Sequence, residues 1–507
     1  MAVVSACLLS CSAPGPDSGT TTTKRPNVLF VVWDTVRADR LGCYGYERPT
    51  TPHLDAFAED ALLYERAISP GMWTLPTHAS LFTGLPVSAH GTVSHHQWLD
   101  NRFRTLAEIF SDSGYDTYAF SSNPHMSAGA NLVQGFDLVE HPWEDPWAEI
   151  IAARIEKKLI PEDRSTERSP GRAKMSEARK GFYKECGPSI VEALKNWLGG
   201  REDDDRPFFA YLNYMEAHIP RIPSVEARRK VMSPEMLQRS LEVDQTHIRL
   251  LSYMLGQEEI PDDELEVISR VYDASLIDLD SATGLLFDWL ESSGLADDTV
   301  IVLTSDHGEN VGDHGLTGHK FCLYDTLIRV PLIVRYPPRI KPGRVAQTVS
   351  NLDLHATLLD LADLPAPPEG ILSRSLLDLE NRPEGDAPVF SEMVAATPSA
   401  LRKVSKNHPD LNWEPWLRSL KSVEQAGYKF LLSSDERNEL YRVEIDPAEL
   451  DDLSLDETQR AESMANSIET WLNTFEPYDP SLAGPDDEPG ELPPAVLNQL
   501  RALGYVD

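Results

Sequence analysis

Six residues in this chain have the types that metal-assisted attack on an ester centre requires. Asp34, Asp306 and His307 offer two carboxylates and an imidazole. Thr74, which opens the string Thr74-Leu75-Pro76-Thr77-His78, offers a hydroxyl; His218 and His319 add imidazoles elsewhere. A hydroxyl attacks phosphorus or sulfur only if its pKa is lowered and the charge on the transferred group is steadied. Two carboxylates, an imidazole and the Thr74 oxygen form a donor set for one divalent cation. The imidazole favours zinc or manganese, with calcium as the alternative. An Asp-His pair alone is weak evidence, since a capping Asp beside a packed His reads the same way. Thr74 likewise fits a plain helix N-cap, with Pro76 in the first turn, and on position alone the cap is the better reading.

The elements that must position these residues are legible as short apolar runs. Residues 28–32, 117–120, 208–212, 300–304 and 330–334 are rich in β-branched and aromatic side chains, lack period-two alternation and so read as buried parallel strands. Between them lie helical stretches, the clearest over 263–293, where Leu265, Ile268, Tyr272, Leu276, Leu279, Thr283, Leu286 and Leu290 form one stripe and Gly294 stops it. Alternating strands and helices predict an α/β fold with a central, mostly parallel sheet flanked by helices. Ligands bind beyond the carboxyl ends of such strands. Asp34, Asp306-His307, Asn123 with His125, and His218 all follow predicted strands, and this agreement strengthens the metal reading.

The 507 residues, 41% hydrophobic and 25% charged, suffice for one large domain and an appendage. We expect a catalytic domain over 26–370, with charged insertions at about 140–206 and 223–261 that cap the site. A smaller α+β subdomain and tail should occupy 371–507, with strands over 428–433 and 439–443 and a helix over 458–473. A formal net charge of -35 excludes nucleic acid as the main partner. The five cysteines show neither zinc spacing nor a disulfide framework. Cys7 and Cys11 lie in Ala6-Cys7-Leu8-Leu9-Ser10-Cys11, which resembles a lipoprotein cleavage box, although no Lys or Arg precedes it. Residues 12–23, rich in Ser, Thr, Pro and Gly, then read as a tether. The expectation is an extracytoplasmic, periplasmic or cell-envelope lipoprotein attached to a membrane through Cys11.

Residues 27–46, containing Asp34-Thr35-Val36-Arg37-Ala38-Asp39-Arg40-Leu41-Gly42-Cys43-Tyr44-Gly45, resemble the opening of the sulfatase family within the alkaline phosphatase superfamily. Residues 74–84 resemble its signature of Cys or Ser, any residue, Pro, a small hydroxyl residue and Arg, ending in Thr-Gly. Further matches are His90-Gly91, Gly114-Tyr115, Gly135-Phe136-Asp137, residues 304–315, Tyr324 with Arg329-Val330-Pro331, residues 353–359, and Leu440-Tyr441 with Asp446-Pro447.

The resemblance implies the alkaline-phosphatase/sulfatase-like fold, and its departures alter the expected chemistry. Thr74 stands where the family oxidises Cys or Ser to formylglycine, and the methyl on its Cβ excludes that aldehyde. His78 replaces the signature Arg, Thr35 stands at a usual second metal carboxylate, and Ser122 to His125 replace a Lys-Trp-His segment. The site looks instead like that of superfamily phosphotransferases, which work through phosphothreonine. Thr74 would attack, Asp34, Asp306 and His307 would hold the metal, and His218 would meet the transferred group or leaving oxygen. Either His319 or Lys320 would bind substrate oxygen. His78, Asn123 and His125 are further substrate-contact candidates, against the plainer role of structural hydrogen-bonders.

The favoured substrate is thus a phosphoester or phosphodiester, carried by a small molecule, lipid or glycan. Plain sulfate ester hydrolysis is the alternative, and a non-catalytic envelope lipoprotein that keeps the fold is the second.

Overall fold

A computed structural model describes residues 24–158, 186–203, 205–381, 387–395, 416–484 and 492–502. Cys7, Cys11 and the expected tether lie outside the described residues.

The central sheet has eight strands: β1 (Asn27–Trp33), β2 (Leu62–Tyr64), β3 (Asp116–Ser121), β4 (Leu138–Glu140), β5 (Phe208–Tyr214), β6 (Thr299–Ser305), β7 (Leu332–Arg335) and β8 (Gly343–Val345). Their order is β8-β2-β7-β6-β1-β5-β3-β4. From β6 to β4 every pairing is parallel. Against β6 and β2, β7 runs antiparallel, which corrects the expectation of a parallel strand over 330–334. That run also splits at Pro331, which has no N–H to give a ladder. Arg329–Val330 pairs in a separate small sheet, while the Pro331 carbonyl accepts from Thr304 Oγ1 at 2.7 Å.

The absence of alternation in the central strands follows from burial on both faces. Helices α1 (Pro52–Glu59), α2 (Thr74–Thr83), α3 (Leu106–Asp112), α4 (Gly187–Gly199), α5 (Asp262–Ser292) and α6 (Leu354–Leu361) divide between them. Val28, Phe30 and Val32 pack toward α2, α3 and α6. Leu29, Val31 and Trp33 pack toward α1, α4 and α5. The stripe read along α5 is buried from Ile268 onward, and Gly294 follows the helix at φ +74°. Within 223–261, three short helices (Val225–Val231, Pro234–Ser240 and His247–Met254) lie against α5, with Val243, Leu250 and Ile260 meeting Val267 and Ile268.

A four-stranded antiparallel sheet follows: β9 (Val389–Met393), β10 (Leu420–Gln425), β11 (Tyr428–Ser433) and β12 (Glu439–Tyr441), with α7 (Thr458–Leu472) on one face. The sequence pattern shows β11, β12 and α7 but not β9 or β10, whose Ser, Glu and Lys residues mask the strand signal. Leu420, Leu431 and Tyr441 from the other face pack against Leu323, Leu327 and Ile328 of the larger unit. A buried ion network joins the two. Lys429 Nζ lies 3.0 Å from Asp325 Oδ1 and 2.6 Å from Glu449 Oε1, and Asp325 is held in a fork by Arg66 at 2.8 and 3.0 Å.

No helix among the described residues is long and apolar enough to cross a membrane.

Candidate metal and nucleophile site

Parallel register brings the strand ends level. Trp33 sits beside both Tyr214 and Ser305, so Asp34 and Asp306, each the next residue, emerge at one edge of the sheet. One ligand atom from each of Asp34, Asp306 and His307 lies within 4.8 Å of the others, and all three residues are buried. Thr35 makes the turn after β1 at φ +65°, a strained conformation for a β-branched residue. Its N–H donates to Asp306 Oδ1 at 3.2 Å, and its carbonyl accepts from Tyr272 at 2.8 Å. The turn is therefore bonded both to the loop that carries Asp306 and His307, called the metal loop for its candidate ligands, and to α5.

His307 Nδ1 meets the Gly308 carbonyl at 2.9 Å, which places the proton on Nδ1 and leaves the Nε2 lone pair facing the cluster. Nε2 lies 3.4 Å from Asp306 Oδ2, a buried oxygen with no hydrogen-bond donor, and 3.4 Å from Thr74 Oγ1. A carboxylate oxygen and an imidazole lone pair turned toward each other in a dry interior repel unless a positive charge lies between them. The donor set therefore fits a divalent cation. Burial pushes the Asp306 carboxyl up to about 7 in the metal-free chain, although the Thr35 and His307 N–H groups oppose the shift. Burial lowers His307 to about 4, so its imidazole is neutral near pH 7.

A cation taken by this donor set would be linked to protons. Below pH 7 it would displace the Asp306 proton, so affinity should rise by up to about tenfold per pH unit and level off above pH 7. Calorimetric titration of Zn or Mn at pH 6 and 8, in buffers of differing ionisation enthalpy, measures this directly. Absence of proton release at pH 6 would refute it.

Thr74 is the first residue of α2, and Trp73 is the N-cap without any side-chain cap bond. The simple N-cap reading of Thr74 is thus corrected. Its hydroxyl turns instead toward His307 Nε2 and toward Asn123 Nδ2, which lies 3.2 Å away. The same Nδ2 donates to Asp34 Oδ2 at 2.7 Å. Asn123 Oδ1 accepts from the His125 N–H at 2.9 Å, fixing which end of the amide faces the cluster. Asn123 thereby links Asp34 to Thr74, and His125 meets Asn123 through its backbone N–H while its ring stands edge-on to Trp73.

His78 stands in the second turn of α2, its Nδ1 3.7 Å from Asp306 Oδ2. It is fully buried, with Nδ1 at 2.8 Å from the Thr74 carbonyl and Nε2 at 2.7 Å from the Tyr211 hydroxyl. With both nitrogens engaged, and burial lowering it to about 3, it ties α2 to Tyr211 of β5.

His218 and His319 line one side of the cluster. The His319 ring lies 4.6 Å from that of His307 and 5.0 Å from that of His218. His218 Nδ1 is bonded to the Ile219 carbonyl at 2.5 Å. Partly buried Lys320 follows His319, and burial pulls its ammonium down to about 8 against the opposing field of Glu309. Asp313 pairs with Arg37 at 2.7 Å, and His314 stacks on Tyr324, so neither joins the cluster. Sequence reasoning gave no role to Glu309, Arg221 or Tyr211. Glu309 stands in the metal-loop segment, but Arg221 and Tyr211 carry no local signal, since their partners are distant in the chain.

The sulfatase family model matches residues 26–364. An ulvan-active sulfatase of Formosa agariphila is 27% identical over 374 residues, which cover 72% of this chain and 66% of that protein. The multifunctional alkaline phosphatase superfamily protein PehA of Trinickia caryophylli is 27% identical over 387 residues, covering 66% of this chain and 73% of the relative. In fold, the phosphonate monoester hydrolase of Agrobacterium radiobacter superposes with a TM-score of 0.63 at 23% identity, over 89% of this chain and 95% of the other. The family match takes in all eight strands of the sheet that carries the cluster, and this chain therefore belongs to the sulfatase family of ester hydrolases.

Proposed function

We propose that this chain is a metal-dependent phosphoester hydrolase or transferase with Thr74 as its nucleophile, and that a phosphodiester is a favoured substrate. The observation that carries the reading is an unmodified threonine hydroxyl at a helix start, 3.4 Å from His307 Nε2, beside the buried Asp34–Asp306–His307 cluster. Threonine cannot give the aldehyde on which the family's sulfate chemistry depends. A divalent ion held by Asp34, Asp306, His307 and the Thr74 oxygen would lower the hydroxyl pKa and offset charge on the transferred group.

In the first step Thr74 Oγ1 forms a bond to phosphorus as the bond to the leaving oxygen breaks. Asn123 Nδ2 orients the attacking oxygen, and the backbone N–H groups of Thr74 and Leu75 at the start of α2 would stabilise the anion. His218 meets the leaving oxygen in this reading, and His319 or Lys320 binds a substrate oxygen. In the second step water, or an acceptor alcohol, attacks phosphorus and releases Thr74.

Two relatives bear on substrate class. The relative named for the alkaline phosphatase superfamily is compatible with chemistry at phosphorus, and the ulvan-active sulfatase supports a glycan-borne ester. The latter also favours a second reading, sulfate ester hydrolysis. Against it, a threonine sulfate lacks the elimination route by which a hydrated aldehyde sheds sulfate.

Purified chain loaded with Zn or Mn should turn over an aryl phosphodiester or monoester faster than an aryl sulfate. Sustained aryl sulfate turnover with no phosphoester turnover would overturn the assignment. The proposal also keeps the chain at the cell envelope, anchored at Cys11, for which metabolic labelling with palmitate is the check.

A further inference from the structure

Glu309 lies two residues beyond His307, fully buried, and its two oxygens serve different partners. Oε1 faces His319 Nδ1 at 3.1 Å, and Oε2 accepts from Arg221 Nη2 at 2.8 Å. Arg221 is only 1% exposed. Its Nε donates to the Ala217 carbonyl at 2.9 Å, its Nη1 approaches Gln245 Oε1 at 3.4 Å, and its guanidinium lies 4.9 Å from the centre of the Tyr272 ring. One buried arginine thus contacts the strand-end segment that carries His218, the metal loop and the 223–261 segment. A buried ion pair is weak as a source of net stability, because desolvating both charges offsets most of their attraction. Its placement against a site histidine points to another use.

We propose that Glu309 and Arg221 are positioning residues for His319. The carboxylate holds the imidazole in the tautomer with hydrogen on Nδ1, so Nε2 keeps a lone pair that can accept from an O–H, that of the water or acceptor alcohol of the second step. Arg221 fixes the carboxylate and, through Gln245, ties this wall of the site to the 223–261 segment. Substrate-contacting loops and the site histidine then keep one spacing. The inference rests on the reading that the His218–His319 wall receives the ester, and it places His319 at the attacking hydroxyl, leaving the donating ammonium of Lys320 for a substrate oxygen.

The test combines kinetics with a readout independent of turnover. In protein labelled with ¹⁵N-histidine, the imidazole resonances of His319, assigned from the His319→Ala spectrum, should show a single Nδ1–H tautomer. Arg221→Met and Glu309→Gln should each convert it to a mixture. On an aryl phosphodiester, Arg221→Met should lower kcat by about 10–100-fold with KM moved by less than about threefold. Arg221→Lys, which keeps the charge at a single contact, should recover most of the loss. Arg221→Met combined with His319→Ala should be no worse than His319→Ala alone, as expected of residues acting through one another. An unchanged His319 tautomer in both variants, or additive kinetic losses, would overturn the inference. If the wild-type chain turns over no ester, the functional reading fails, while the tautomer measurement still decides this one.

Discussion

Thr74→Ala should lose phosphoester turnover by at least about 10³-fold in kcat/KM, the scale expected when a nucleophile is removed. The same variant should keep its fold and still bind metal. Trp73, not Thr74, is the N-cap of α2, and no side-chain cap bond is lost. Alanine is also a good first-turn residue, so the stability cost should stay within about 1 kcal/mol. Asp34, Asp306 and His307 remain to hold the cation. Thr74→Ser, which keeps the oxygen and removes only the methyl, should retain activity within about tenfold. Steady-state kinetics with circular dichroism and metal analysis separate these effects. Mass spectrometry of acid-quenched wild-type protein should find phosphate on Thr74 and nowhere in the alanine variant. Full turnover by Thr74→Ala would end its assignment as nucleophile.

Lys429→Met should destabilise the protein by about 3–5 kcal/mol, the cost of leaving a buried ion pair without one partner. Lys429 is fully buried between Asp325 and Glu449. Burial alone would favour its neutral form, but the two carboxylates outweigh that and hold the ammonium above its usual range. Burial would likewise raise Asp325, yet Arg66 and Lys429 outweigh it and hold the carboxyl down. For Glu449 burial prevails, and its carboxyl is pushed up to about 7 even with Lys429 present. Removing the ammonium raises it further. A carboxyl whose folded pKa exceeds its unfolded value destabilises the native state progressively as pH rises between the two. The deficit should therefore be larger at pH 8 than at pH 5. Thermal or urea denaturation at both values measures it. Because the network joins β11 to the segment that follows the metal loop, loosening of the four-stranded sheet should accompany the loss. Equal deficits at the two pH values would show that Glu449 carries no part of it.

Legibility in the sequence followed the range of the interactions. The five apolar runs were readable because strands buried on both faces must be apolar throughout, and α5 because an unbroken stripe at helical spacing has no other stable use. Asp34, Asp306 and His307 were readable because parallel strands deliver their ends to one edge, so residues just past each run were candidates before any contact was known. The strand after Pro331 was misjudged in direction, since an apolar run carries no sign of which way it pairs. Strands β9 and β10 were missed because one face carries Ser391 in β9 with Ser422 and Glu424 in β10, and Glu392 and Lys421 add polar residues on the other, so the apolar signal is interrupted.

By itself the sequence determined the family, the α/β sheet, the donor types at the strand ends and the presence of a hydroxyl that cannot become an aldehyde. These depend on residue identity and local spacing, which the chain states outright. Only the tertiary structure decided that Thr74 turns its oxygen toward His307 and does not cap α2, that Asn123 bridges Asp34 to that oxygen, and that His78 reaches Tyr211. It also decided that Arg221 reaches Glu309 across 88 positions of chain. Each of these depends on the direction of a side chain and on a partner brought close by folding, and neither direction nor distance is written in the order of residues.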